Sequence, residues 1–174
     1  MYKKYLILFI LPVVIIFYSC QSNQMNEKAE KQKEVVAKIF EIFDNGNVDE
    51  LNGLIAENSV DHQLDTSITK EEGLAGTKEL FRYFHRIFPD MKTTIHSMAV
   101  SNDTVFVYST STGTTSEPFM GMPVNHKHTI SGVDIVRFEN EKAMEHWGFI
   151  DIAALNNMMK PPMQSDTSII EKDK

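Results

Sequence analysis

The chain has 174 residues, 42% of them hydrophobic, with 24 acidic against 17 basic residues and a formal net charge of −7. That length suits one domain with a substantial core and hardly two. The acidic balance and the lack of a basic stripe interleaved with aromatics argue against a phosphate-backbone partner, so no nucleic acid is expected.

At the N-terminus, Lys3 and Lys4 precede an apolar run from Leu6 to Phe17. Its length matches the hydrophobic region of a signal peptide and falls short of a comfortable membrane span. Residues 1–19 are therefore expected to be removed on export. The run ends in Phe17-Tyr18-Ser19-Cys20, and Cys20 is the only cysteine, which excludes a disulfide within the chain. A lone cysteine placed there resembles a bacterial lipobox, in which the cysteine is lipidated and becomes the new N-terminus, although Phe17 stands where Leu or Val is more usual. The alternative is a signal peptidase site with an incidental cysteine. Acyl chains on Cys20 would hold the protein on a membrane of the cell envelope, at the outer membrane or the periplasmic face, without a spanning helix. The polar segment that follows reads as a flexible tether over 20–31.

Val35, Val36, Ile39, Phe40 and Phe43 recur at helical spacing, and Asp44-Asn45-Gly46 supplies a stop, which predicts a helix over 32–44. Asn47 or Asp49 can cap a second helix over 47–56, and 59–64 reads as a short strand containing His62. A third helix is expected over 73–88, with Leu80, Phe81, Phe84, Ile87 and Phe88 on one face and Pro89 ending it. From Met91 the period changes to 2. Four strands follow, over 92–100, 104–115, 127–138 and 143–150, with hairpin turns at Ser101-Asn102-Asp103 and Glu139-Asn140-Glu141. Helices followed by an antiparallel meander describe an α+β domain over 32–160, with Leu80, Phe84, Phe88 and Val107 buried. The tail 161–174, opening near Pro161-Pro162, is expected to be disordered.

One acid stands in a strand of small and apolar residues. Alternation puts Asp134 on one face with His126, His128, Ile130, Gly132, Val136 and Phe138. A carboxylate in such a setting must be hydrogen-bonded, paired or raised in pKa, and catalytic groups are found in such settings. His126-Lys127-His128 offers two histidines on one face, but a stable metal site needs three or four ligands, and neither an HExxH nor a cysteine pair completes one. No metal and no cofactor is expected, since no phosphate-binding or dinucleotide motif occurs either.

Phe119-Met120-Gly121-Met122-Pro123, then Asp134 with Arg137, then Glu145-His146-Trp147 and a final Asp151 together resemble the SnoaL-like polyketide cyclase (ester cyclase) family of the NTF2-like superfamily. The resemblance implies a cone: a strongly curved, mainly antiparallel sheet with the N-terminal helices packed across it and a pocket at the open end. It implies that Asp134 is a general acid/base, with His62 and His146 as companions that hydrogen-bond a substrate oxygen or steady the Asp. His128, Trp147, Phe119 and Phe84 are then expected around the ligand. Glu145 and Trp147 alternate with His146, so the three cannot line one cavity without a bulge. The family also implies a possible homodimer through the outer face of the sheet. This chain has Thr115 where the family commonly has a histidine, and Glu117 where a glycine is frequent, so a specific cyclisation does not carry over. Two functions remain for a pocket that accepts a small apolar molecule. One is cofactor-independent acid/base catalysis of the cyclase, isomerase or hydratase type, and the other is a non-catalytic binding lipoprotein.

Overall fold

The computed structural model describes residues 6–158, and side chains from 24 to 156. The side chains of the expected signal peptide and of Cys20, and the tail 161–174, lie outside the described residues.

Helix α1 (Leu6–Asn45) is followed by a single 3-10 turn (Val48–Leu51) and strand β1 (Ile55–Asp61). Helix α2 (Gly73–Ile87) comes next, then β2 (Lys92–Ser101), β3 (Thr104–Thr114), β4 (Lys127–Glu139), β5 (Lys142–Ile150) and the short α3 (Ile152–Met158). The five strands form one sheet in the order β1-β5-β4-β3-β2. β2 to β5 make the expected antiparallel meander, while β1 crosses over and joins β5 in parallel. Asn102 and Asn140, with positive φ, turn the two expected hairpins.

Three segments differ from the sequence expectation. α1 continues back through the tether segment as far as the described side chains reach, with Lys28 paired to Asp103 and Lys31 to Glu141 at 2.8 Å, each acid in a hairpin turn. The polar segment that suggested a flexible tether also contains Gln24, Glu27, Lys28, Ala29, Glu30 and Lys31, all good helix formers. The expected helix over 47–56 is only the 3-10 turn, because Asn52 and Gly53 (φ +86°) redirect the chain into β1, which starts earlier than the expected strand and ends at Asp61. At the end of α1, Gly46 takes φ +76° and lies against His85, whose ring leaves no room for a Cβ there.

One face of the sheet packs under α1 and α2. Val105 and Val107 are fully buried there with Val136, Phe138 and Ala143, against Val36 and Ile42 of α1 and Leu74 of α2. Leu80, Phe88 and Val107 are buried as expected, whereas Phe84 is half-buried because it borders a cavity. Among the described residues neither α1 nor α2 covers the opposite face, and Phe106, Tyr108, Val133 and Phe149 stand exposed on it.

Candidate active site

Between the helices and the concave face of the sheet lies a cavity of about 300 Å³. Ile39, Phe40 and Phe43 of α1 and Leu80, Phe81 and Phe84 of α2 form its roof, with Val136 and Ala143 on its floor. The polar end of the cavity is built by three adjacent strands. Asp61 ends β1 and lies beside His146 of β5 in the parallel register, while Asp134 of β4 is opposite Gly148, two residues further along β5.

The three side chains form a continuous chain of hydrogen bonds. His146 Nδ1 meets Asp61 Oδ1 at 3.0 Å and His146 Nε2 meets Asp134 Oδ1 at 3.1 Å. The side chain of Asp61 is 8% exposed, that of Asp134 23% and that of His146 32%. Burial, the largest single influence on His146, works against its charge. The hydrogen bonds to Asp134 and then Asp61, with the charges of both acids, outweigh it and raise the His146 pKa to about 9. His146 is therefore an imidazolium at neutral pH, and both of its N–H groups are spent on carboxylates. Asp61 Oδ1 also accepts the backbone N–H of Gln63 at 2.8 Å, and Gln63 Oε1 accepts the N–H of Gly148 at 3.2 Å. Asp134 Oδ2 has no partner among the described residues.

Of the expected site residues, Asp134, His146 and Phe84 line the cavity. The others lie elsewhere. Trp147 pairs with Ile135, itself opposite Phe106, and so belongs to the uncovered face. A bulge does occur in β5, where the register with β4 shifts between Arg137 and Phe138, but it precedes Glu145 and leaves the alternation from Glu145 to Trp147 intact. His62 stacks on Trp147 with ring centroids 4.8 Å apart, and its Nε2 meets Glu145 Oε1 at 3.0 Å. Arg137 Nε donates to the other Glu145 oxygen at 2.9 Å. His62 foremost, then Arg137, holds the Glu145 pKa below the usual carboxylate range. His62 is thus not part of the cavity lining and belongs to an ion-pair cluster centred on Glu145, which does border the cavity.

His128 shares the strand face of Asp134 but lies six residues away, roughly 20 Å along an extended strand. It is 7% exposed and packs on Phe88 at 4.3 Å, and burial lowers its pKa. Phe119 joins the same cluster, edge-on to Phe88 at 5.5 Å. Thr115, where the family commonly has a histidine, is 1% exposed and fixes the loop between β3 and β4: its Oγ1 donates to the Pro123 carbonyl at 2.6 Å and accepts the His126 N–H at 2.9 Å. Asp151 caps α3, accepting the Ala153 N–H at 2.8 Å.

Asp61 is the residue that sequence reasoning missed. Its signal was present: Asp61 alternates with His62, so if one of them faces the concave side the other cannot.

The family model described as SnoaL-like polyketide cyclase matches residues 33–157. The chain belongs to the SnoaL-like polyketide cyclase family. Its fold is that of TsrD from Streptomyces laurentii (TM-score 0.66, 17% identity, covering 75% of this chain and 95% of that one). It is also similar to IdmH from Streptomyces antibioticus (TM-score 0.62, 23% identity, 74% and 97% covered). A SnoaL-like polyketide cyclase from Agrobacterium tumefaciens gives TM-score 0.62 at 16% identity, with 74% and 98% covered. No curated protein matches the chain. The architecture expected for an NTF2-like cone is the one found, with β1 as a parallel strand at the sheet edge.

Proposed function

We propose that this SnoaL-like protein is a cofactor-independent acid/base enzyme of the cyclase, isomerase or hydratase type, in which Asp134 exchanges a proton with a small apolar substrate. The observation that carries this reading is the Asp61–His146–Asp134 chain at the polar end of an apolar cavity. Removing a proton next to a carbonyl requires a base held at hydrogen-bond reach in a fixed orientation. His146 fixes one oxygen of Asp134, Asp61 fixes His146, and the second oxygen of Asp134 is left for substrate. The aromatic roof supplies an apolar surface for the substrate body beside the polar end. His62 acts on the far side of the sheet edge in this scheme, through Glu145 and Trp147, and touches no substrate.

The apolar N-terminal run and Cys20 support an exported form anchored by lipid in the bacterial cell envelope. The exposed Phe106, Tyr108, Val133 and Phe149 support a homodimer through the uncovered sheet face.

Asp134→Asn tests the catalytic role, because it keeps the shape and removes the titrating group. With a substrate in hand, turnover falls by roughly 10²-fold or more while ligand binding survives. Unchanged turnover refutes the role of Asp134. Ligand binding without turnover in the wild type would make the protein a receptacle that uses the same cavity.

A further inference from the structure

The cavity's polar end carries a charge imbalance that restricts what it can hold. Three acidic side chains line the cavity, Asp61, Asp134 and Glu145; His146 bridges the first two, and Glu145 has both oxygens engaged, by His62 Nε2 and Arg137 Nε. No Lys or Arg lines the cavity among the described residues. Arg137 of β4 does not line the cavity and is committed to Glu145. His146 offers an incoming anion nothing, since Asp61 and Asp134 occupy both of its nitrogens. The side-chain donors left on the lining are neutral: the Ser59 hydroxyl, which has no partner among the described residues, and the Gln63 amide NH₂, whose oxygen is fixed by the Gly148 N–H. Against these stand two carboxylate oxygens without a partner among the described residues, Asp134 Oδ2 and Asp61 Oδ2.

We propose that the cavity selects apolar molecules whose polar end is a hydrogen-bond donor without negative charge, a hydroxyl or an ammonium, and rejects carboxylates of the same size and shape. A carboxylate would meet Asp134 Oδ2 with no countercharge free to compensate, and desolvating an unpaired anion there is costly. A hydroxyl or ammonium donates to Oδ2 and leaves its apolar body under the Phe40, Phe81 and Phe84 roof. This inference rests on the reading of the cavity as the functional site and names its ligand class.

Three matched probes test it: 4-phenylbutylamine, 4-phenylbutan-1-ol and 4-phenylbutanoate, titrated calorimetrically at neutral pH into the full chain held in lipid nanodiscs, with empty nanodiscs as the blank. The amine and the alcohol are expected to bind at least tenfold more tightly than the carboxylate, a difference of at least about 1.4 kcal/mol. In Asp134→Asn the gap narrows. Asp61→Asn removes the second charge and serves as an independent variant if the first is poorly folded by circular dichroism. Carboxylate binding equal to or tighter than that of the other two, or a gap unchanged in both variants, overturns the proposal and leaves the cavity a ligand site. Binding of none of the three removes the cavity as a small-molecule site and takes the proposed function with it.

Discussion

His146 makes stability depend on pH in a direction opposite to the usual carboxylate effect. Its folded pKa of about 9 lies above the reference value of 6.5. The stabilisation is therefore fully present below about pH 6.5 and is lost as pH rises through about 9. The cause is geometric: a neutral imidazole has one N–H, so deprotonation leaves either Asp61 or Asp134 facing a ring lone pair at 3.0–3.1 Å. The shift corresponds to roughly 3 kcal/mol at full value, and the 32% exposure of the side chain reduces this to about 1–2 kcal/mol. Urea unfolding of the wild type and of His146→Gln between about pH 6 and about pH 10 measures it, because the other titrating groups cancel in the difference. The gap should be widest at the acid end and close by about 1–2 kcal/mol at the alkaline end. A gap that is flat or widens with pH, or an NMR titration placing the His146 ring at or below its ordinary value, refutes the bridging imidazolium.

Thr115→Val removes the hydroxyl that serves both the Pro123 carbonyl and the His126 N–H in a buried position, and should cost about 2 kcal/mol by thermal or urea unfolding; a loss below a few tenths would show that the loop does not depend on it. Phe149→Glu, at a side chain 58% exposed on the uncovered face, should leave the fold intact and convert a dimer to a monomer by sedimentation, whereas a wild type already monomeric at high concentration removes the dimer. Cys20→Ala should release the chain from the membrane fraction, and mass spectrometry of the extracted wild type should show the acyl chains; an unmodified Cys20 ends the lipidation reading.

The parts of the fold that could be read from sequence are those encoded by local period. Leu80, Phe84 and Ile87 mark α2, and the alternating Val, Ile and Thr residues with Asn102 and Asn140 in the turns mark the meander. Charged helix formers concealed the continuation of α1, because a polar segment is flexible only when nothing holds it. Here Lys28 and Lys31 reach the hairpin turns. At the site, Asp134 was visible as a lone acid in an apolar strand and His146 through the Glu-His-Trp motif. Parity also separated His146 from Trp147, and the structure keeps that separation. Parity could not show that His128 is too far along β4 to reach Asp134, since alternation fixes a face and says nothing of position along it.

Asp61 escaped notice for a deeper reason, one that bears on how the site works. β1 is the strand whose place in the sheet follows from no hairpin. It enters by a crossover and pairs in parallel with β5, a strand more than eighty residues later in the chain. That pairing alone brings Asp61 beside His146. It is reinforced locally, for the His62 N–H donates to the His146 carbonyl at 3.0 Å and the Gly148 N–H to Gln63 Oε1. Gly148 permits this closure, since a Cβ there would lie 2.8 Å from the Gln63 side-chain oxygen. The chain just past Asp61 is thus fastened to β5 by backbone and side chain. The carboxylate that orients His146 is therefore in place without a ligand, and Asp134 receives its partner from a hydrogen-bonded strand of the sheet. In the proposed reaction, a base positioned this way would incur little ordering cost when substrate binds, the condition under which a single carboxylate in a small apolar cavity could act without a cofactor.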